Sequence, residues 1–178
     1  NQKVYLHFGL CKAYKDLKDY EKSFHHLKSG NQLQRKLIKY DIDKHKSLSK
    51  KIKSIFSKIN LKELQQNDGG ENNIFILGMP RSGTTLIEKI ISSHSNVSTI
   101  SESNFIPEKV HKYLNKDSET LKNFLKSDFK DKYNLFIKSF NIKDKIVVDK
   151  TLTNFWHIGF IKIFFPKAKL IHVFRNPK

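Results

Sequence analysis

Apolar residues change their period once along this chain, and the change divides it. Between residues 4 and 30 they recur at helical spacing. Leu6, Leu10, Ala13, Tyr14 and Leu17 share one face, and Tyr20, Phe24 and Leu27 continue on a second. This predicts a helical hairpin, with Gly30 as C-cap of its second helix. Residues 31–66 are lysine-rich, with Leu33, Leu37, Ile38, Ile52, Ile55, Phe56 and Ile59 at helical spacing, and read as one or two connecting helices. The stretch QQNDGGENN, residues 65–73, is rich in turn formers and is read as the domain boundary, with one domain over 1–66 and another over 73–178.

Beyond that boundary short apolar runs alternate with helical patterns. Strands are predicted at 74–77, 97–100, 146–148 and 170–174. A helix is expected over 84–93, two or three more across 104–140, and another over 154–165. Strands separated by helices predict an α/β fold with a parallel sheet and helical crossovers. The three better-defined strands, at 74–77, 146–148 and 170–174, read as apolar on both faces, as buried parallel strands should be.

The first strand runs into ILGMPRSGTTLIEKI, residues 76–90. Gly78, four residues, Gly83 and then a hydroxyl residue nearly reproduce the GxxxxGK[ST] loop, so the sheet is of P-loop type. The lysine of that loop is Thr84 here, and Arg81 stands three residues earlier. A strand-to-helix turn of this kind aims backbone N–H groups and the positive end of a helix at one spot. Ser82, Thr84 and Thr85 add hydroxyls, and Arg81 adds a two-pronged donor suited to a phosphate or sulfate oxygen.

Composition sharpens this reading. The 178 residues carry 34 basic against 17 acidic side chains, a formal net charge of +17. Arg35, Arg81 and Arg175 are the arginines, and the lysines are dispersed rather than gathered into a block. Dispersed lysine beside abundant Asn and Ile points to a lysine-favouring bias and a solvated surface, not to a nucleic-acid partner. Where arginine persists in such a chain, its planar fork is what the position uses. Cys11 is alone, which leaves no disulfide framework, and no His, Cys or carboxylate group has metal-ligand spacing. No apolar run approaches the roughly 18–20 residues that span a bilayer. The chain opens on Asn1 and stops just after a strand-like run, so it reads as part of a longer protein, with a cytoplasmic location expected.

GMPRSGTTLIEKIISSHSNV, residues 78–97, resembles the 5′-phosphosulfate loop of the sulfotransferases that use 3′-phosphoadenosine 5′-phosphosulfate (PAPS). VVDKTLTNFWHIGFIKIFFPKAKLIHVFRNP, residues 147–177, resembles the same family's central strand, helix and 3′-phosphate strand. The hairpin, with Leu10, Cys11, Tyr14, Tyr20, Ser23, Leu27 and Gly30, resembles one tetratricopeptide repeat, although an ordinary helical hairpin also fits. That combination is similar to the repeat-containing branch related to protein-tyrosine sulfotransferases. One repeat cannot bury its own face, so further repeats are expected upstream, with a protein partner as their use.

The resemblance implies roles. Arg81, Ser82, Gly83, Thr84 and Thr85 match the positions that hold the donor's 5′-phosphosulfate, and Arg175 matches the arginine that grips its 3′-phosphate. Glu102 matches the general base, and Lys150 the lysine that stabilises the leaving oxygen, with Asp149 placed to orient it or its loop. Leu152 stands where the family pattern DKxPxN has proline, between Thr151 and Thr153. His94 matches a structural histidine, and Trp156 and His157 read as packing or pocket wall. The implied activity is sulfuryl transfer, without a metal, from PAPS to an acceptor hydroxyl: a protein tyrosine, a saccharide or a small molecule. Two other classes compete with it. One is a nucleotide kinase, which would need the lysine missing at Thr84. The other is a repeat-based interaction protein with an inactive nucleotide fold.

Overall fold

A computed structural model describes residues 2–38, 40–60, 64, 69–142 and 145–176. The chain forms two compact units, residues 1–46 and 47–178.

The first unit holds the hairpin of α1 (Gln2–Asp16) and α2 (Tyr20–Leu37). Asp19 caps α2 by accepting from the Lys22 amide at 3.1 Å. The helices meet along only part of the predicted apolar face: Tyr14 is in the contact, whereas Leu6, Leu10 and Leu17 are exposed. Small residues complete it. Val4, Ser23 and Gly30 are buried, the Ser23 hydroxyl donates to the Cys11 carbonyl at 2.9 Å, and the Tyr14 and His26 rings stack. Gly30 is no C-cap, since α2 continues for seven more residues through good helix formers. Gly30 is instead a contact point: a Cβ there would lie 2.9 Å from the Phe8 ring. The His7 and His26 Nδ1 atoms lie 3.1 Å apart, and partial burial, with His7 and His25 as neighbours, holds His26 below its ordinary value.

In the second unit four strands form a wholly parallel sheet, β1 (Asn73–Gly78), β2 (Val97–Ser101), β3 (Ile146–Asp149) and β4 (Lys169–Val173), in the order β2-β3-β1-β4. Helical crossovers connect them, as the alternating pattern predicts. α4 (Thr84–Ser92) joins β1 to β2, and α5 (Phe105–His111), α6 (Ser118–Leu125) and α7 (Phe129–Lys138) join β2 to β3. The predicted helix over 154–165 is in two pieces, a 3-10 helix Leu152–His157 and α8 (Ile158–Phe164). The Asn154 amide donates to the Thr151 carbonyl at 2.9 Å, the i to i+3 bond that tightens the first piece. β4, an edge strand of this sheet, also departs from expectation: His172 is exposed and none of its five residues is fully buried.

The core is aromatic. Phe75 of β1 lies tilted against Tyr133 and Phe165, and Phe105, Phe124, Phe129 and Phe164 continue the cluster in edge-to-face and stacked pairs. α3 (Ile42–Ser57) adds Leu48, Ile52, Ile55 and Phe56, with Phe56 edge-on to Phe160 at 5.0 Å. Of the predicted turn-rich stretch, residues 65–68 lie outside the described residues, as do 61–63 of the connecting segment. Gly69 and Gly70 are buried, and the Gly69 carbonyl accepts from the Lys167 amide at 3.0 Å.

Gly70 has φ +91, and a Cβ there would meet the Phe165 Cβ at 2.8 Å and its Cα at 3.1 Å. Gly70→Ala therefore combines a left-handed backbone with a clash against main chain. Urea unfolding should show a loss of about 1–3 kcal/mol.

Candidate active site

The sheet register builds the first half of the site. Gly78 pairs with Val173, so the turns that leave β1 and β4 start from the same rung. A Cβ on Gly78 would run into the Val173 carbonyl, so only glycine lets the two strands approach here. Gly83, at φ +106, is the N-cap of α4 and offers it no side-chain cap, which leaves the leading N–H groups of the helix facing the turn. Arg81 takes a left-handed φ of +70, unusual for a residue with a Cβ. Arg81, Ser82, Val173, Phe174 and Arg175 line one cleft of about 390 Å³. Within it the Ser82 Oγ is buried without a hydrogen-bond partner. Thr84 is buried at the start of α4, whereas Gly83, Thr85 and Arg81 are exposed. The structure thus brings Arg81, Ser82 and Arg175 to one cleft, with Gly83, Thr84 and Thr85 at its helical end.

The second half lies at the ends of β2 and β3. β2 slips register between Thr99 and Ser101, and Ser101 has φ +53. Such a bulge re-aims the side chains that follow it. The Lys150 amide donates to the Ser101 carbonyl at 2.9 Å, which holds the two strand ends together. Lys150 Nζ then donates to Glu102 Oε1 at 2.6 Å. The pair is lopsided: 7% of the lysine side chain is exposed against 51% of the glutamate's. Glu88 of α4 is the third member, its Oε2 3.7 Å from Lys150 Nζ. Sequence reasoning passed over Glu88. Its signal was its position at i+4 from Thr84 on the buried side of a helix, where an acid needs a partner.

Asp149 fixes both segments. It is 1% exposed. Its Oδ2 accepts from the Ser103 and Tyr133 hydroxyls, each at 3.0 Å, and its Oδ1 accepts from the Thr151 amide at 3.0 Å. The Asn154 amide group lies at 3.5 Å. Burial raises the carboxyl above its ordinary value, opposed by the bonds from Thr151, Ser103 and Tyr133. The same burial, with Asp149 beside it, pushes the Tyr133 phenol well above the usual range. Asp149 therefore steers the loops on which Glu102 and Lys150 ride rather than contacting either side chain. Asn154 falls on the last position of the DKxPxN pattern, but nothing in the sequence marked Tyr133.

The remaining candidates take structural places. His94 is exposed, and its Nδ1 accepts from the Asn96 amide at 3.1 Å, closing the turn after α4. Trp156 and His157 line a second cavity, of about 660 Å³, together with Pro107 and His111. Among the described residues no group of His, Cys, Asp and Glu could hold a metal ion, and no helix is long and apolar enough to cross a membrane.

Residues 73–178 match the model of the Sulfotransferase family. An uncharacterized protein of Aquifex aeolicus (strain VF5) is 32% identical over 183 aligned positions, covering 95% of this chain. The chain spans 24% of that relative's length.

His157 gives a test of the local packing. Burial is the main cause that lowers it from 6.5 to about 4, with His111 adding to the effect and the Thr153 backbone opposing it. A histidine whose pKa falls on folding contributes stability that is fully present above its unfolded pKa. That stability is lost as pH falls through 6.5 toward about 4. Urea titrations between those limits should show a loss on the order of 3 kcal/mol from this group. His157→Gln should flatten that part of the profile.

Proposed function

Because the chain belongs to the sulfotransferase family, we propose that it moves a sulfuryl group from PAPS to an acceptor hydroxyl at the C-terminal edge of its parallel sheet. One observation carries the reading. Arg81 and Arg175 converge on a single cleft in which a buried serine hydroxyl has no partner. Two guanidinium forks suit a donor with an anionic group at each end of its ribose. The glycine close approach at Gly78 and the uncapped start of α4 suit its 5′-phosphosulfate. Arg81, Ser82, Gly83, Thr84 and Thr85 would hold that end, and Arg175 the 3′-phosphate. Thr84 occupies the place where a kinase of this loop type carries its lysine.

In this reading the acceptor oxygen forms a bond to sulfur as the bond from sulfur to the bridging oxygen breaks. The electron pair leaves with 3′-phosphoadenosine 5′-phosphate, and the acceptor proton passes to the Glu102 carboxylate. Lys150 supplies positive charge where the bridging oxygen becomes anionic, from a site held away from water. The step as written uses no metal ion. A protein tyrosine, a saccharide and a small metabolite would each present the same O–H to Glu102, and a helical-repeat hairpin suits a protein acceptor best.

Calorimetry with 3′-phosphoadenosine 5′-phosphate on the full chain tests the donor site. Binding should exceed that of ADP with Mg²⁺. Arg81→Ala and Arg175→Ala should each weaken it by about 10- to 100-fold, the worth of a charged hydrogen bond. Tighter binding of ADP with Mg²⁺ would support the kinase reading instead.

A further inference from the structure

Glu88 stands out among the buried groups because the proposed reaction gives it no task. It is 4% exposed, on the side of α4 that faces the sheet, where an aliphatic side chain would pack without penalty. A carboxylate taken out of water is costly unless it is paired and hydrogen-bonded. Both conditions are met. The Thr99 hydroxyl of β2 donates to Oε1 at 2.6 Å, and Oε2 lies 3.7 Å from Lys150 Nζ. Thr99 is itself held, its Oγ1 accepting from the Ser101 amide at 3.0 Å.

Lys150 therefore lies between two acids of different character. Glu102 is half exposed and closes on the ammonium at 2.6 Å, whereas Glu88 is enclosed and stands off at 3.7 Å. While Lys150 is bound to Glu102, the base is occupied. To accept a proton from an incoming hydroxyl, Glu102 has to release the lysine. An ammonium with no second anchor would then follow Glu102 or swing toward the acceptor, since its stem is flexible.

We propose that Glu88 is a positioning residue that retains the Lys150 ammonium beside the donor when Glu102 releases it to take up the acceptor's proton. The proposal rests on the sulfuryl-transfer reading above for the roles of Glu102 and Lys150. It adds a two-partner arrangement in which one acid does the chemistry and the other holds the cation.

The position of the lysine is tested without any ligand. In a crystal structure of the Glu102→Gln chain, Lys150 Nζ should close on Glu88 Oε2 to about 2.8 Å, an ordinary charged hydrogen bond. An ammonium that turns to solvent or keeps to the glutamine would overturn the proposal, whatever the donor proves to be. The link to the donor is tested by affinity for 3′-phosphoadenosine 5′-phosphate and for adenosine 3′-phosphate, which lacks the 5′-phosphate that Lys150 approaches. Glu88→Gln should weaken the first about tenfold and leave the second within about twofold. In a Lys150→Ala background the same substitution should have no further effect, the mark of a residue that acts through another. Equal losses for both ligands, a loss undiminished in the Lys150→Ala chain, or tighter binding would each overturn it. If the unaltered chain shows no preference for 3′-phosphorylated adenosine, the sulfotransfer reading itself fails, and the Glu102→Gln structure still decides where the lysine goes.

Discussion

A single buried carboxyl group, that of Asp149, determines how the proposed chemical groups are presented. At 1% exposure it has to be fully hydrogen-bonded or costly, and the hydroxyls of Ser103 and Tyr133 and the amide of Thr151 meet that need. The three donors come from three places: the loop after β2, the helix α7, and the turn after β3. Satisfying one acid thus ties together the segment that carries Glu102, the segment that carries Lys150, and the aromatic core around Tyr133. The cost of burying Asp149 is offset by order in the two loops that need it.

The same logic recurs at smaller scale. Glu88 is buried and answered by Thr99 and Lys150, and Lys150 is buried and answered by Glu88 and Glu102. The polar interior forms a short chain from Tyr133 through Asp149 to Ser103 on one side, and from Thr99 through Glu88 and Lys150 to Glu102 on the other. Its last member, Glu102, is half exposed. Rigidity is concentrated behind the site, and the group that would exchange a proton with a substrate sits at its open end.

How much of this was legible depended on whether the signal was local. The loop at 78–85 declares itself, because glycine spacing and hydroxyl residues between an apolar run and a helix leave few other structures. The parallel sheet follows from apolar runs alternating with helical stretches, and its four strands lie within a residue or so of their predicted limits. Arg81 stood out from the loop itself, but the roles of Glu102, Lys150 and Arg175 were nameable only through resemblance, since in a chain this rich in charge a single charged residue carries little information. Tyr133 was illegible: it reaches Asp149 through the fold of three helices, and nothing in FKDKYNLFIK separates it from any other core aromatic. The hairpin misled because its larger side chains, Leu6, Leu10 and Leu17, lie on an exposed face while the helices approach through Ser23 and Gly30. Period alone shows that a helix has an apolar stripe, but not which neighbour the stripe meets.

The shared rung between Gly78 and Val173 has a consequence for how such a chain can change over time. Each of the two cleft arginines lies only a few residues past that rung, in the turn that leaves the strand, so its placement depends on the length of that turn. The long excursion between the two strands can gain or lose residues in its surface turns and leave both arginines where they are. β4 ends at Val173, so one residue inserted between Val173 and Arg175 would lengthen the turn and carry the guanidinium away from its place beside that rung. Length is free to drift in the crossovers and is fixed to the single residue at the cleft.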